Sequence, residues 1–177
     1  YQVASLIPSD KELIVTEAKA GILDGQRPGP FTFVTGTTDK IGLQVDGGGA
    51  FDITFSAGGG GVPVNTGSFT LTTPEVCAVI NAQLVADGGH GAAFSNVAQP
   101  DPRTDVIILQ SPNTGVNKDV DITVAGGGQS ALDLLGLGLD NDDGDFDAAR
   151  SGDGANLAAN TFREGTFAWL CDPSVLS

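Results

Sequence analysis

The chain has 177 residues, the size of one domain, and a chain of this length buries roughly 70% of its unfolded surface, so it folds without staples. Eight Lys plus Arg stand against 22 Asp plus Glu, giving a formal net charge of -14 and a pI near 4.1, which argues against a nucleic-acid backbone or an anionic membrane as partner. Glycine supplies 26 residues and the only glutamates are Glu12, Glu17, Glu75 and Glu164, a composition suited to turns and strand ends. A mainly β (α+β) fold is expected, with antiparallel sheets, one amphipathic three-turn helix and a short second helix.

Residues 10–20 form an amphipathic stretch, and Asp24-Gly25-Gln26-Arg27-Pro28-Gly29-Pro30 then stops any regular element, so residues 1–30 read as an N-terminal arm or edge segment. Residues 31–34, 40–45 and 51–55 alternate apolar with polar, and Asp46-Gly47-Gly48-Gly49 between the last two predicts a hairpin. Residues 57–67, rich in glycine and holding Pro63, predict a mobile surface loop before a short strand at 68–71.

The period then changes. Thr72-Thr73-Pro74-Glu75 carries a capping hydroxyl, a first-turn proline and an acid, and Val76, Ile80 and Leu84 follow at helical spacing until Asp87-Gly88-Gly89. Residues 92–98, 104–111 and 119–124 predict three more strands, and residues 130–135 a second, short helix. Residues 140–154 are mostly Asp and Gly and predict a solvated loop, while the tail at 161–170 is apolar enough to dock and carries Trp169. The expected organisation is an arm (1–30), a β-rich domain (31–139), and an acidic loop with docking tail (140–177). The predicted core comprises Ile41, Leu43, Val45, Phe51, Ile53, Phe55, Val76, Ile80, Leu84, Ile107, Leu109, Ile122 and Val124.

The longest aliphatic run, Val106-Ile107-Ile108-Leu109, is far short of the ~20 residues of a membrane span, and no charged-then-apolar leader precedes residue 20, so a soluble chain is expected. Two cysteines, Cys77 and Cys171, cannot build a disulfide scaffold, and a single bridge between them stays open.

Catalytic chemistry has little to work with. The single histidine, His90, lies in Gly88-Gly89-His90-Gly91 and reads as a turn residue, since no nucleophile elbow or Cys-His neighbourhood accompanies it. Cys77 falls on the apolar helix face, where a free thiol behaves as a small hydrophobe. Gly126-Gly127-Gly128-Gln129-Ser130-Ala131 has the form of a dinucleotide fingerprint, but Leu135-Gly136-Leu137-Gly138 ends the following helix too early for a Rossmann crossover. Asp140, Asp142, Asp143, Asp145 and Asp147 crowd into eight residues, and hard oxygen ligands at alternate positions suit Ca²⁺. An EF-hand is excluded: with Gly144 at the sixth loop position, Leu139 and Arg150 occupy the first and twelfth, where acids are needed. Two readings follow, an irregular calcium site or a solvated acidic loop. No other cofactor is expected.

Between residues 40 and 138 the order of elements, the helix Val76-Cys77-Ala78-Val79-Ile80-Asn81-Ala82, the strand end Leu109-Gln110-Ser111-Pro112-Asn113-Thr114-Gly115 and the closing Leu132-Asp133-Leu134-Leu135-Gly136-Leu137 resemble the flagellin hook IN motif family. Ile80-Asn81 matches the pair that names the motif. The resemblance implies a β-β-α-β-β packing unit, found in flagellar cap and filament proteins and in tailed-phage virion proteins, with no catalytic residue to carry over. Flagellar relatives carry long polymerising terminal helices, and neither end of this chain has the pattern for one. The resemblance therefore implies a non-enzymatic bacteriophage virion structural protein, a head decoration or cement (auxiliary capsid) subunit at the particle surface. Its expected partners are the major capsid protein or other virion proteins and further copies of itself, gripped by the two terminal segments; nucleic acid and membrane are not expected. The alternative is a binding module of a tail fibre, adhesin or flagellar-type filament. A glycan-cleaving enzyme lacks carboxylates placed on facing strands.

Overall fold

The computed structural model describes residues 13–15, 20–86, 91–114, 118–123, 125, 131–137, 150–152 and 160–162. Its strands are β1 (Leu13–Val15), β2 (Ile22–Asp24), β3 (Phe31–Val34), β4 (Lys40–Val45), β5 (Phe51–Thr54) and β6 (Ser68–Leu71), followed by the helix α1 (Thr73–Ala86). After it come β7 (Ala98–Pro100), β8 (Ile107–Gln110), β9 (Val120–Thr123), the one-turn helix α2 (Leu132–Leu135), β10 (Arg150–Gly152) and β11 (Asn160–Phe162). All strand pairs are antiparallel: the orders are β10-β9-β4-β5, β2-β8-β7, β3-β6 and β1-β11. The architecture is the expected mainly β (α+β) one.

Alternation along the strands decides which face is buried. In β3 the phenylalanines Phe31 and Phe33 point inward and Thr32 and Val34 outward, and in β4 Ile41, Leu43 and Val45 are buried. The β4–β5 hairpin closes through a turn in which the Gly48 N–H donates to the Val45 carbonyl at 3.0 Å, with Asp46 and Gly47 at φ 56° and 69°. Two successive left-handed residues give the primed turn that matches strand twist, which is why Asp-Gly stands there.

One core runs through the sheets β10-β9-β4-β5, β2-β8-β7 and β3-β6 and both helices, and Phe33, Phe55, Ile41, Leu43, Ile53, Ile80, Leu84, Ile107, Leu109 and Ile122 are fully buried within it. Of the predicted core, Phe51 is only partly buried against it, and Val124 lies outside the described residues. Phe31, Phe33, Val79, Val97, Leu132, Leu135 and Leu137 are additional members.

Several expectations are corrected. The strand predicted at 92–98 is a 3-10 turn over Ala92–Phe94 followed by β7, because Gly91 with φ 67° turns the chain before it extends. Within the predicted acidic loop, Arg150–Gly152 forms a strand on β9. The 14 residues of α1 make nearly four turns at about 3.6 per turn, one more than expected. As an amphipathic helix, α1 buries Val76, Cys77, Val79, Ile80 and Leu84, leaves Asn81 and Gln83 half-buried and Glu75 and Val85 exposed, and packs beside both β7 and β5. The glycine loop, read as a surface loop, lies against this helix. A Cβ at Gly60 (φ 57°) would stand 2.6 Å from the Ala78 carbonyl oxygen, so only glycine allows that approach.

The terminal segments meet within the chain, Leu13–Val15 pairing with Asn160–Phe162. Ile22–Asp24 pairs with β8 and buries Leu23, so the last part of the arm is sheet.

Candidate functional site

The polar side chains that converge in this fold do so around α1 and around the turn between β4 and β5. Thr72 precedes the helix, and Glu75 reaches back to it, accepting from the Thr72 N–H and hydroxyl at 2.8 Å each. Those two hydrogen bonds hold the Glu75 carboxyl below its usual range, the backbone N–H having the larger effect. This is the reciprocal half of a capping box, the signal present in Thr72-Thr73-Pro74-Glu75. Thr73, fully buried, donates its hydroxyl to the Asp105 carbonyl at 2.9 Å.

Asn81 and Gln83 project from opposite sides of α1, since two residues turn a helix by about 200°. The Asn81 amide nitrogen donates to the Ala98 carbonyl and its oxygen accepts the Ala98 N–H, both at 2.8 Å. Gln83 does the same to Thr54, with both bonds at 2.8 Å, and donates further to the Gly58 carbonyl at 3.0 Å. Each side-chain amide acts as an additional strand residue, one on the edge of β7 and the other at the end of β5.

At the turn, the Asp46 carboxylate accepts from Ser111 Oγ and Asn113 Nδ2 at 2.5 Å each, and the Asp46 N–H donates to the Asp119 carbonyl at 2.9 Å. The Ser111-Pro112-Asn113 strand end is thereby fastened to the hairpin turn. Asp39, 1% exposed, accepts from the Gly36 N–H at 3.0 Å and from the Ser56 hydroxyl, tying the turn after β3 to the end of β5. Gln83 and the Asp39–Ser56 pair had no signal in the sequence, because their partners lie 17 to 29 residues away.

Cys77 is a buried free thiol whose pKa is pushed up to about 12 by burial, which outweighs an opposing backbone hydrogen bond, while the Asp105 charge adds a smaller upward push. A thiol so protonated is a poor nucleophile. A shallow open cleft of about 640 Å³ lies between β2 and the β7–β8 turn, lined by Asp24, Gln26, Asp101, Arg103 and Thr104 among others. Its Asp101 is occupied by the turn, accepting from the Arg103 N–H and the Thr104 hydroxyl at 2.8 Å each.

The candidate calcium ligands Asp140, Asp142, Asp143, Asp145 and Asp147 lie outside the described residues, as do His90, Gly126, Gly127, Gly128, Trp169 and Cys171. Among the described residues no group of three or more His, Cys, Asp or Glu is placed to hold a metal ion. The strand that precedes the glycine triplet, β9, runs antiparallel to both of its neighbours, and α2 is a single turn ended by Gly136 at φ 68°, so the parallel β-α-β crossover of a dinucleotide site is not what this segment builds. No helix among the described residues is long and apolar enough to cross a membrane.

No family model, no curated protein and no solved structure matches this chain. The resemblance to the flagellin hook IN motif therefore rests on the sequence alone: Ile80-Asn81, the Ser111-Pro112-Asn113 strand end, the closing Leu132-Asp133-Leu134-Leu135-Gly136-Leu137 and the order of elements around them.

Proposed function

We propose that the chain is a non-enzymatic structural subunit of a tailed bacteriophage particle, a head decoration or cement protein held on the capsid surface by the major capsid protein and by neighbouring copies. The observation that carries the reading is the use of the motif pair: Ile80 is fully buried and Asn81 spends its amide on the Ala98 backbone. Both residues serve packing, which is what the resemblance implies for a scaffold module. The other fastened polar groups, Asp39 with Ser56 and Asp46 with Ser111 and Asn113, likewise hold turns. Pairing of β1 with β11 joins arm to tail, so a neighbouring subunit meets them as one ribbon. The charge of -14 keeps such a subunit off the packaged genome.

The test is reconstitution. Purified chain is mixed with phage capsids stripped of surface subunits, and separately with host cells. Co-sedimentation with the capsids, and density for the chain at regular lattice positions in a cryo-EM map, is the expected result. Binding to cells with none to particles overturns it in favour of the adhesin.

A further inference from the structure

The outer edge of β6 differs from the other edges that α1 or a turn reaches. On β7, Ala98 is taken by Asn81 and Pro100 has no N–H to offer; on β5, Thr54 is taken by Gln83. On β3, the Val34 N–H donates to Thr38 Oγ1 at 3.1 Å and its carbonyl accepts the Thr37 and Thr38 N–H groups at 3.0 Å each. Edges blunted in this way cannot recruit another strand.

β6 is not blunted. The Thr35 N–H donates to the Gly67 carbonyl at 2.9 Å, so alternation along the ladder makes Phe33–Phe69 and Phe31–Leu71 bonded pairs. The backbone N–H and C=O of Ser68 and Thr70 therefore point away from β3, and among the described residues nothing bonds them. The surroundings are also unusual for so acidic a chain: residues 28–38 and 53–74, which contain β3, β6 and the glycine loop, carry no charged side chain. Thr32, Ser68 and Thr70 are exposed there, with Val34 and Val64 at 41% and 74%.

We propose that β6 pairs antiparallel with β6 of a second copy of this chain across a two-fold axis centred on Phe69. In that register Ser68 lies opposite Thr70 of the second copy and the reverse, so two bonded pairs form and four hydrogen bonds use the outward groups. Phe69, stacked on Phe33 at 5.5 Å, meets its counterpart across the axis and extends the aromatic row. The outward groups of Ser68 and Thr70 lie symmetrically about Phe69, so a second copy of the same edge matches them group for group. Copies carrying -14 each repel through their acidic surfaces, and this ribbon is where two of them approach without opposing carboxylates. A four-residue edge is short, so the pairing is weaker than a permanent interface and strengthens as salt screens the remaining charge. It does not depend on the virion reading, and capsid binding does not depend on it.

Sedimentation equilibrium of the full chain, from micromolar to on the order of 1 mM at low and high salt, tests the proposal. Thr70→Pro removes an outward N–H while leaving the β3 ladder intact, and Ser68→Asp puts a like charge on each side of the axis. The expected result is a reversible dimer whose dissociation constant rises by about tenfold or more in either variant, while thermal melts of dilute protein are little changed. A wild-type chain that stays monomeric throughout, or a dimer that keeps its affinity in the variants, overturns the proposal. Should Thr70→Pro fail to fold, Ser68→Asp alone decides.

Discussion

Asn81 on α1 and Ala98 on β7 exchange two hydrogen bonds of 2.8 Å, so a helix side chain occupies the place of a neighbouring strand. Gln83 makes the corresponding pair with Thr54 on β5. One helix thus closes an edge of two sheets and holds them at a fixed separation.

Asn81→Ala leaves the buried Ala98 edge without its partner, and the expected loss is about 1–3 kcal/mol, the penalty for unsatisfied backbone groups. Asn81→Asp keeps an acceptor for the Ala98 N–H but sets a carboxylate against the Ala98 carbonyl, so it does not restore stability. Urea unfolding with an unchanged slope measures both; a wild-type midpoint for Asn81→Ala contradicts the edge-closing role.

Ile80 is fully buried between the sheets, and Ile80→Ala is expected to destabilise by about 2–5 kcal/mol through lost transfer energy and the cavity left behind. A thermal melt reads the change. An unaltered midpoint would mean that this helix face does not carry the core.

At the glycine loop, Gly60→Ala meets the Ala78 carbonyl oxygen at 2.6 Å, whereas Gly61→Ala, at φ 90°, meets nothing within 4 Å. Both pay the strain of a positive φ, and only the first must also push the loop off α1. Gly60→Ala is expected to cost more than about 1 kcal/mol and to exceed Gly61→Ala in denaturant unfolding; equal losses would show that strain alone acts.

Cys77, its thiol raised from 9.0 to about 12, gives a pH prediction. The folded chain holds the proton where the unfolded chain releases it, so this contribution is fully present below pH 9 and is lost as pH rises from about 9 towards 12. In a Cys171→Ser background, Ellman's reagent at pH 8 is expected to react only on unfolding. Prompt labelling of the native protein would contradict the burial.

Much of the fold was legible. Period-two alternation in Phe31-Thr32-Phe33-Val34 and in Asp119-Val120-Asp121-Ile122-Thr123, helical spacing of Val76, Ile80 and Leu84, and the Asp46-Gly47 turn each report a local preference, and each element stands near its expected place. Residues 92–98 misled because an apolar composition with no clear period does not distinguish a turn from a strand. Of the fastened polar groups, Asn81 stood out in the sequence only as half of the Ile80-Asn81 pair, and its partner Ala98 did not.

Local chemistry determined the elements by itself: alternation selects a buried face, Thr72 and Glu75 start the helix, and an acidic excess sets which surfaces repel. Pairing belongs to the tertiary structure. That β3 joins β6 and not the nearer β4, that Gln83 finds Thr54 and Asp39 finds Ser56, and that β6 keeps an open edge while β5 and β7 are closed all depend on contacts between distant residues. The sequence encodes the donors and acceptors, but which of them meet depends on how all the apolar faces are buried in one core at once.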